Sequence, residues 1–279
     1  MTTIKKVALV AAVILCVLIP AGAISAGAAT ADVVGDKAAL DPDPPSPVTP
    51  SQQKILDQKW QAAAALLSRT KSTATVGASN AVMSLASSAA SSTSASLTED
   101  QNPQKKSYYC GPATVNEALG QMGHWHTQAF YAGPDQLNTE ATHQTSWGAA
   151  NSGPVPIVMD KHQSRVNYVG QPVSPSPTST EIDFYKLGLV VNISSLRAPL
   201  IGDAYEIPYG PRLNGHPLER TIFHWFDIYG YTSSGANTTY EDSVYKAETV
   251  SWHELVTAPH ATIPSSKIVK IVGGRGYVW

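Results

Sequence analysis

Thr221-Ile222-Phe223-His224-Trp225-Phe226-Asp227-Ile228-Tyr229-Gly230-Tyr231 carries the strongest strand signal in this 279-residue chain. Ile, Phe, Trp and Tyr side chains suit a pleated, half-buried surface. A turn-rich break, Ser233-Ser234-Gly235-Ala236-Asn237, follows, and residues 238–246 read as the returning strand of a hairpin. Upstream, residues 111–122 read as a helix closed near Gly123, and residues 133–143 and 153–162 as helices each opened by Gly-Pro. Residues 166–169, 187–193, 199–204 and 268–272 read as further strands. Helices that precede an antiparallel sheet predict an α+β fold.

Working outward, residues 99–279 hold five of the six tryptophans and all twelve tyrosines. That span, about 180 residues, is enough for one well-buried core. Before it lies a different kind of sequence. Residues 30–98 form a low-complexity linker rich in Ala, Ser, Thr, Asp and Pro, read as disordered between residues 70 and 98 because few large side chains are present to bury. Within it, residues 49–69 read as an isolated helix: Thr49, Pro50 and Gln52 make a capped start, and Leu56, Trp60, Ala63, Ala64 and Leu67 fall on one stripe. Such a helix packs on the domain, binds a partner, or acts as a pro-segment over the active groove.

Residues 1–29 read as a secretory signal, with Lys5 and Lys6 before an apolar run from Val7 to Pro20 and small-residue cleavage patterns after it. The run is shorter than the roughly 20 residues a membrane span needs, so no membrane span is expected after its removal. Without the two lysines the formal charge moves from −2 to −4, seventeen basic against twenty-one acidic residues. There is no basic excess to hold nucleic acid or an anionic membrane surface. The expected location is extracellular or at the cell wall.

Only Cys16 and Cys110 are present, and Cys16 falls inside the signal without the small residues that precede a lipidated cysteine. The mature chain therefore has one thiol, which is either buried or reactive. Cys110 stands in Ser107-Tyr108-Tyr109-Cys110-Gly111-Pro112-Ala113-Thr114, directly before a helix whose first turn accepts Pro112. The positive end of a helix and its unpaired N–H groups favour thiolate, the attacking form, and the same N–H groups can receive an oxyanion. A thiolate nucleophile needs an imidazole partner, and that imidazole needs an orienting group. Of the eight histidines, His224 is best placed, in a run of core-like residues where its ring nitrogens must be satisfied. Alternation puts His224, Phe226 and Ile228 on one face of the strand. A hairpin turning near residues 233–236 sets residues 242–246 opposite His224, with Asp242 at the edge of that range, so register alone leaves the pairing open.

The segment Gln104-Lys105-Lys106-Ser107-Tyr108-Tyr109-Cys110-Gly111-Pro112-Ala113-Thr114 resembles the catalytic segment of the C39-like peptidases, a bacterial branch of the papain-like cysteine proteases. The run from His224 to Tyr231 is similar to the family's histidine strand, which ends in Gly-Tyr. Asp242, in Tyr240-Glu241-Asp242-Ser243, fits its aspartate, and Thr142, Trp147, Gly148 and Gly153-Pro154 resemble the region between. The resemblance spans roughly residues 100–279. It implies a papain-like fold with N-terminal helices packed on an antiparallel sheet. It also implies roles: Gln104 and the Cys110 N–H as oxyanion donors, Cys110 as nucleophile, His224 as proton carrier and Asp242 as its orienter. Neither a cofactor nor a metal is implied. Transporter-fused members of the wider family cut double-glycine leaders. This chain carries no transporter or nucleotide-binding segment, so that substrate is not carried over.

Other signals point less sharply. His124 and His126 form His-x-His with no acidic or cysteine cluster to complete a metal shell. His216 is a rival base in what reads as a loop, and Asp227 falls on the strand face opposite His224. Asn192 and Asn237 match glycosylation acceptors, and Gly273-Gly274-Arg275-Gly276 lacks the strand-then-helix setting of a phosphate loop. The reading is a secreted cysteine peptidase acting on a peptide or protein, or on a cell-wall peptide. A cell-wall amidase or acyltransferase using the same Cys/His/Asp set, and a non-catalytic surface module, remain open alternatives.

Overall fold

A computed structural model describes Lys37, residues 44–71 and residues 93–279. The expected signal and residues 72–92 of the expected tether lie outside the described residues. In chain order the elements are α1 (Pro50–Lys71), β1 (Ala95–Ser96), α2 (Cys110–Gln121), α3 (Gln128–Tyr131), α4 (Thr139–Thr142), α5 (Pro154–His162), β2 (Gly170–Pro172), α6 (Ser179–Val190), β3 (Leu200–Glu206), β4 (Ile222–Thr232), β5 (Asn237–Glu241), β6 (His260–Pro264), α7 (Ser265–Ile271) and β7 (Gly276–Val278). A π-turn, Val191–Leu196, continues α6.

All seven strands join one antiparallel sheet in the order β2-β7-β3-β4-β5-β6, with β1 laid on β4. The chain is thus α+β. The long strand β4 is central, and its alternate side chains feed two cores. Phe226 and Ile228 join Leu200, Tyr240, Ile268 and Trp279. Trp225 joins Val115, Leu119, Val155 and Met159 from the helices on the other side. Helix α2 is buried without interruption from Gly111 to Gly120.

The helix expected at residues 49–69 is present but not isolated. Its start is a reciprocal capping box: the Thr49 N–H donates to Gln52 Oε1 at 2.8 Å, and the Gln52 N–H donates to Thr49 Oγ1 at 3.3 Å. Its apolar stripe then meets the domain. Leu56 and Ala63 are buried. The Trp60 ring lies 4.1 Å from that of Trp279 and 4.8 Å from that of Phe184, and its indole N–H donates to Gln171 Oε1 at 3.0 Å. Lys59 Nζ donates to the Asn167 carbonyl at 2.7 Å. The linker expected to continue to residue 98 also stops early, because Ala95 and Ser96 pair with Tyr231 and Gly230 of β4.

Several expected elements change type. Residues 187–193, read as a strand, form the end of α6 and its π-turn. A continuous apolar run does not reveal its period when every side is buried. The deciding signal is upstream, the capping box of Thr178 and Glu181. Residues 268–272 likewise fall in α7, and the last strand is β7. Residues 133–143 make no single helix: Asn138 is left-handed at φ 56°, leaving only the one-turn α4. The strand expected at 166–169 begins instead at Gly170, although Val169 already exchanges backbone hydrogen bonds with Trp279 at 3.0 Å. The strand expected to run from 238 to 246 ends at Glu241, and β6 had no distinct sequence signal. Asn192 is fully buried, which removes it as a glycan acceptor in the folded chain.

Docking of α1 has a measurable consequence. Trp60→Ala is expected to lower the unfolding free energy by about 2 kcal/mol, through lost apolar burial and a cavity against Trp279. Urea unfolding of the whole chain checks this; an unchanged midpoint would show that α1 adds no stability.

Candidate active site

Cys110 is the first residue of α2. Its N–H and that of Gly111 precede the first helical hydrogen bond, which runs from the Ala113 N–H to the Tyr109 carbonyl at 2.9 Å. Gly111 is required by packing: a Cβ there would sit 2.1 Å from Thr145 Oγ1 and 2.5 Å from Thr145 Cβ. The Thr145 carbonyl in turn accepts the Trp225 indole N–H at 2.9 Å, so the start of α2 is keyed to β4 through one residue.

Gln104 lies beside the thiol and ties its loop to the aspartate loop. The Gln104 N–H donates to the Ser243 carbonyl at 2.9 Å, and the Ser243 hydroxyl donates to Gln104 Oε1 at 3.3 Å. Its side-chain amide donates to the carbonyls of Lys106 at 2.9 Å and Ser107 at 3.0 Å. Both amide hydrogens are thereby engaged in holding the turn into Cys110. The oxyanion role that the family resemblance assigns to this amide would require breaking one of those bonds.

His224 is buried. Its Nε2 lies 3.1 Å from Asp242 Oδ1, and it lines the same groove as Cys110, which acts on its ring electrostatically. Asp242 follows the last residue of β5. The register pairs Asp227 with Glu241; continued beyond Glu241, it would set residue 244 opposite His224 and Asp242 on the diagonal, within side-chain reach. The Val244 N–H donates to Asp242 Oδ1 at 2.9 Å and fixes the carboxylate. Burial alone would push the His224 imidazole down, but the Asp242 charge, its hydrogen bond and the Cys110 contact carry it up to about 10. Burial likewise works to raise the Asp242 carboxyl, while His224 and His216 hold it well below the usual carboxylate range. At neutral pH the pair is imidazolium and carboxylate.

The structure therefore brings Gln104, Cys110, His224 and Asp242 together. Gln104, Cys110 and His224 border a groove of about 390 Å³ whose walls include Ser107, Phe223 and Trp252, with Arg220 exposed at its rim, while Asp242 stands behind His224. A larger trench of about 740 Å³, lined by Lys106, Tyr109, Trp125, His126 and Glu140, contains none of those four. None of the α1 contacts named above lines the groove, so α1 does not sit as a pro-segment over it. Asp227 is remote from the imidazole and accepts the Gln121 amide at 2.6 Å.

Two residues are added that sequence reasoning set aside or missed. His216 is 4% exposed rather than a surface loop residue. Its Nε2 lies 3.0 Å from Asp242 Oδ2 and its Nδ1 2.8 Å from Glu206 Oε2. Glu206 ends the fully buried strand β3. The available signal was a glutamate closing the strand Leu200–Glu206, whose one other charged residue is Asp203. One ligand atom each from His216, His224 and Asp242 lies within 4.8 Å of the others, a spacing a cation could use. The two Asp242 oxygens are divided between the two rings at hydrogen-bond distance, an arrangement that protons between nitrogen and oxygen account for.

Behind α2 lies a second set of acids, three of them buried and Asp100 half-buried. Asp227 and Glu241 face each other across β4 and β5, with Glu117 and Asp100 near them. Each has one oxygen satisfied, by Gln121, the Asp100 N–H, the Asn102 N–H and the Asn102 amide respectively. Burial, then mutual repulsion, pushes Glu117 well up and Glu241 up to about 9; burial also raises Asp227 strongly and Asp100 to about 6.

The sequence matches no protein-family model and no curated protein. The chemistry of the site therefore rests on its own geometry.

The acid cluster gives stability a definite pH dependence. Carboxyls with raised folded-state values stabilise at low pH and lose that contribution as pH climbs from about 4 through the folded value. Raised His216 and His224 act in the same direction above about 6.5, while depressed Asp242 costs stability only below about 4. Melting temperature is expected to fall by about 5 °C or more between pH 5 and pH 9. Glu241→Gln, which keeps an acceptor for the Asp100 N–H, should flatten that fall. Calorimetry across pH checks both, and a melting temperature that rises over this window would contradict the protonation scheme.

Proposed function

We propose that this chain is a thiol hydrolase that cleaves peptide bonds through an acyl-enzyme on Cys110, in the manner of the papain-like C39-like peptidases. One observation carries the reading: Cys110 opens a helix and shares a groove with a buried imidazole that a buried carboxylate holds at 3.1 Å. A structural cysteine has no use for that combination.

Cys110 Sγ attacks the substrate carbonyl carbon, and the oxygen takes the negative charge. The N–H groups of Cys110 and Gly111 at the start of α2 are the nearest fixed donors for it. His224 passes its proton to the leaving amine as the C–N bond breaks, leaving a thioester on Cys110. A water then gives a proton to the neutral His224 and attacks the thioester; collapse breaks the C–S bond, releases the acid and leaves Cys110 free with the proton on His224. Asp242 keeps the ring aligned throughout and stabilises its charged form. Gln104 holds the loop that presents the thiol.

The groove favours an extended chain with apolar side chains. Ile222, Phe223, Val250 and Trp252 line it, and Phe223 is 37% exposed beside the nucleophile. An exported peptidase acting outside the cell or on wall peptides is consistent with this and with the N-terminal sequence.

Digestion of a peptide library by the whole chain tests the proposal. Cys110→Ser and His224→Ala should each lower cleavage by about 10³-fold or more, and Asp242→Asn by a smaller factor, about 10²-fold. Cleavage unaffected by Cys110→Ser would remove the thiol from the mechanism.

A further inference from the structure

Asp242 does not serve His224 alone. Its Oδ2 faces His216 Nε2 at 3.0 Å, and His216 Nδ1 faces Glu206 Oε2 at 2.8 Å. Glu206 Oε1 accepts the Leu213 N–H at 2.6 Å. Glu206, His216 and Asp242 are all buried. Both nitrogens of His216 thus point at carboxylate oxygens, which only accept when ionised. A neutral imidazole would set a lone pair against one of them in a dry interior, at a large cost.

We propose that Glu206 and His216 are positioning residues of the active site: His216, kept doubly protonated between two carboxylates, fixes the Asp242 carboxylate and supplies a permanent cation that sets how tightly His224 holds its proton. The inference rests on the thiol-hydrolase reading for its catalytic meaning, but its charge pattern is independent of any substrate.

The fold builds this pattern from four separate elements. Glu206 ends β3, His224 lies on β4, Asp242 follows β5, and His216 comes from the loop joining β3 and β4. That loop is pinned where it turns. Gly215 is left-handed at φ +82°, and a Cβ on it would meet the Leu255 carbonyl oxygen at 2.4 Å. The Trp252 ring covers His216 at 4.6 Å, edge to face. The Tyr240 hydroxyl accepts the Asn214 N–H at 2.8 Å. Other charges act from outside the chain of contacts: Lys37 on Glu206, Glu117 on Asp242, and Cys110 on His224. The His216 and His224 rings are 5.4 Å apart. Their like charges therefore oppose each other while Asp242 attracts both. His216 moderates the grip of Asp242 on His224, so that His224 can give up a proton to a leaving group.

Glu206→Gln separates charge from geometry. The glutamine Oε1 can still accept the Leu213 N–H, and its amide can donate to His216 Nδ1. His216 then becomes neutral while its Nε2–H stays on Asp242. Loss of the cation should raise the protonation midpoint of His224 by about half a unit or more, the effect of one charge at this separation even with full solvent screening. The measurement is nitrogen-15 NMR of the imidazoles across pH, in the wild-type chain and in Glu206→Gln, with the pH profile of iodoacetamide labelling at Cys110 as a second readout. Expected are two protonated nitrogens on His216 in the wild type and one in the variant, an upward shift for His224, and a labelling profile displaced to higher pH. A purely structural role for Glu206 would lower the melting temperature and leave both pH profiles in place. A neutral His216 in the wild type, or unmoved profiles in the variant, overturns the inference. A chain that cleaves no peptide yet shows these shifts loses the hydrolase reading and keeps this one; a chain that cleaves but shows none does the reverse.

Discussion

The Asp242 carboxylate is the joint on which the site depends. It is buried and takes three donors: the Val244 N–H, His224 and His216. Through them it binds the end of β5 to β4 and to the loop that leaves β3. An unpaired buried carboxylate would be expensive, so the two imidazoles must be present and charged for these elements to close. The same contact fixes the His224 ring at the groove that Cys110 lines. Cys110 is presented beside these contacts by a helix keyed to β4 through Thr145 and Trp225.

The interior pays for its polarity elsewhere. Asp100, Glu117, Asp227 and Glu241 crowd behind α2, and each carries an oxygen without a protein partner. Such a cluster opposes folding when ionised. It is tolerable where protons are plentiful, or where the apolar cores on both faces of the sheet are strong enough to offset it. The cluster also touches the site: Glu117 lies within electrostatic reach of Asp242. Protonation behind α2 therefore lessens the negative potential around Asp242 as well as the repulsion in the core.

Much of this was legible in the sequence, and unevenly so. The helix start at Cys110, the strand around His224 and the capped helix after Thr49 all follow from local chemistry: a proline in a first turn, dense aromatic and β-branched residues, a reciprocal Thr–Gln cap. Asp242 was reachable from the hairpin only as one position in a range, because the last step depends on a side chain crossing a diagonal after the strand has ended. What failed was long-range. Residues 187–193 are buried on every side, and residues 268–272 are apolar but for Lys270; such short runs do not declare helix or strand. The packing of α1 depends on Trp279, more than two hundred residues away. His216 looked like a loop histidine because nothing local says that Glu206 and Asp242 will close on it from two other elements.

The central claim, that Cys110 is held as a nucleophile by His224 and Asp242, is tested most directly by the rate of alkylation at mildly acidic pH. The whole chain is treated with iodoacetamide at about pH 5.5, where an ordinary thiol with a midpoint near 8.5 is almost wholly protonated and unreactive. Cys110 should label at least tenfold faster than free cysteine, and His224→Ala should bring it back to the rate of a model thiol. Labelling no faster than free cysteine, and unchanged by His224→Ala, would contradict it.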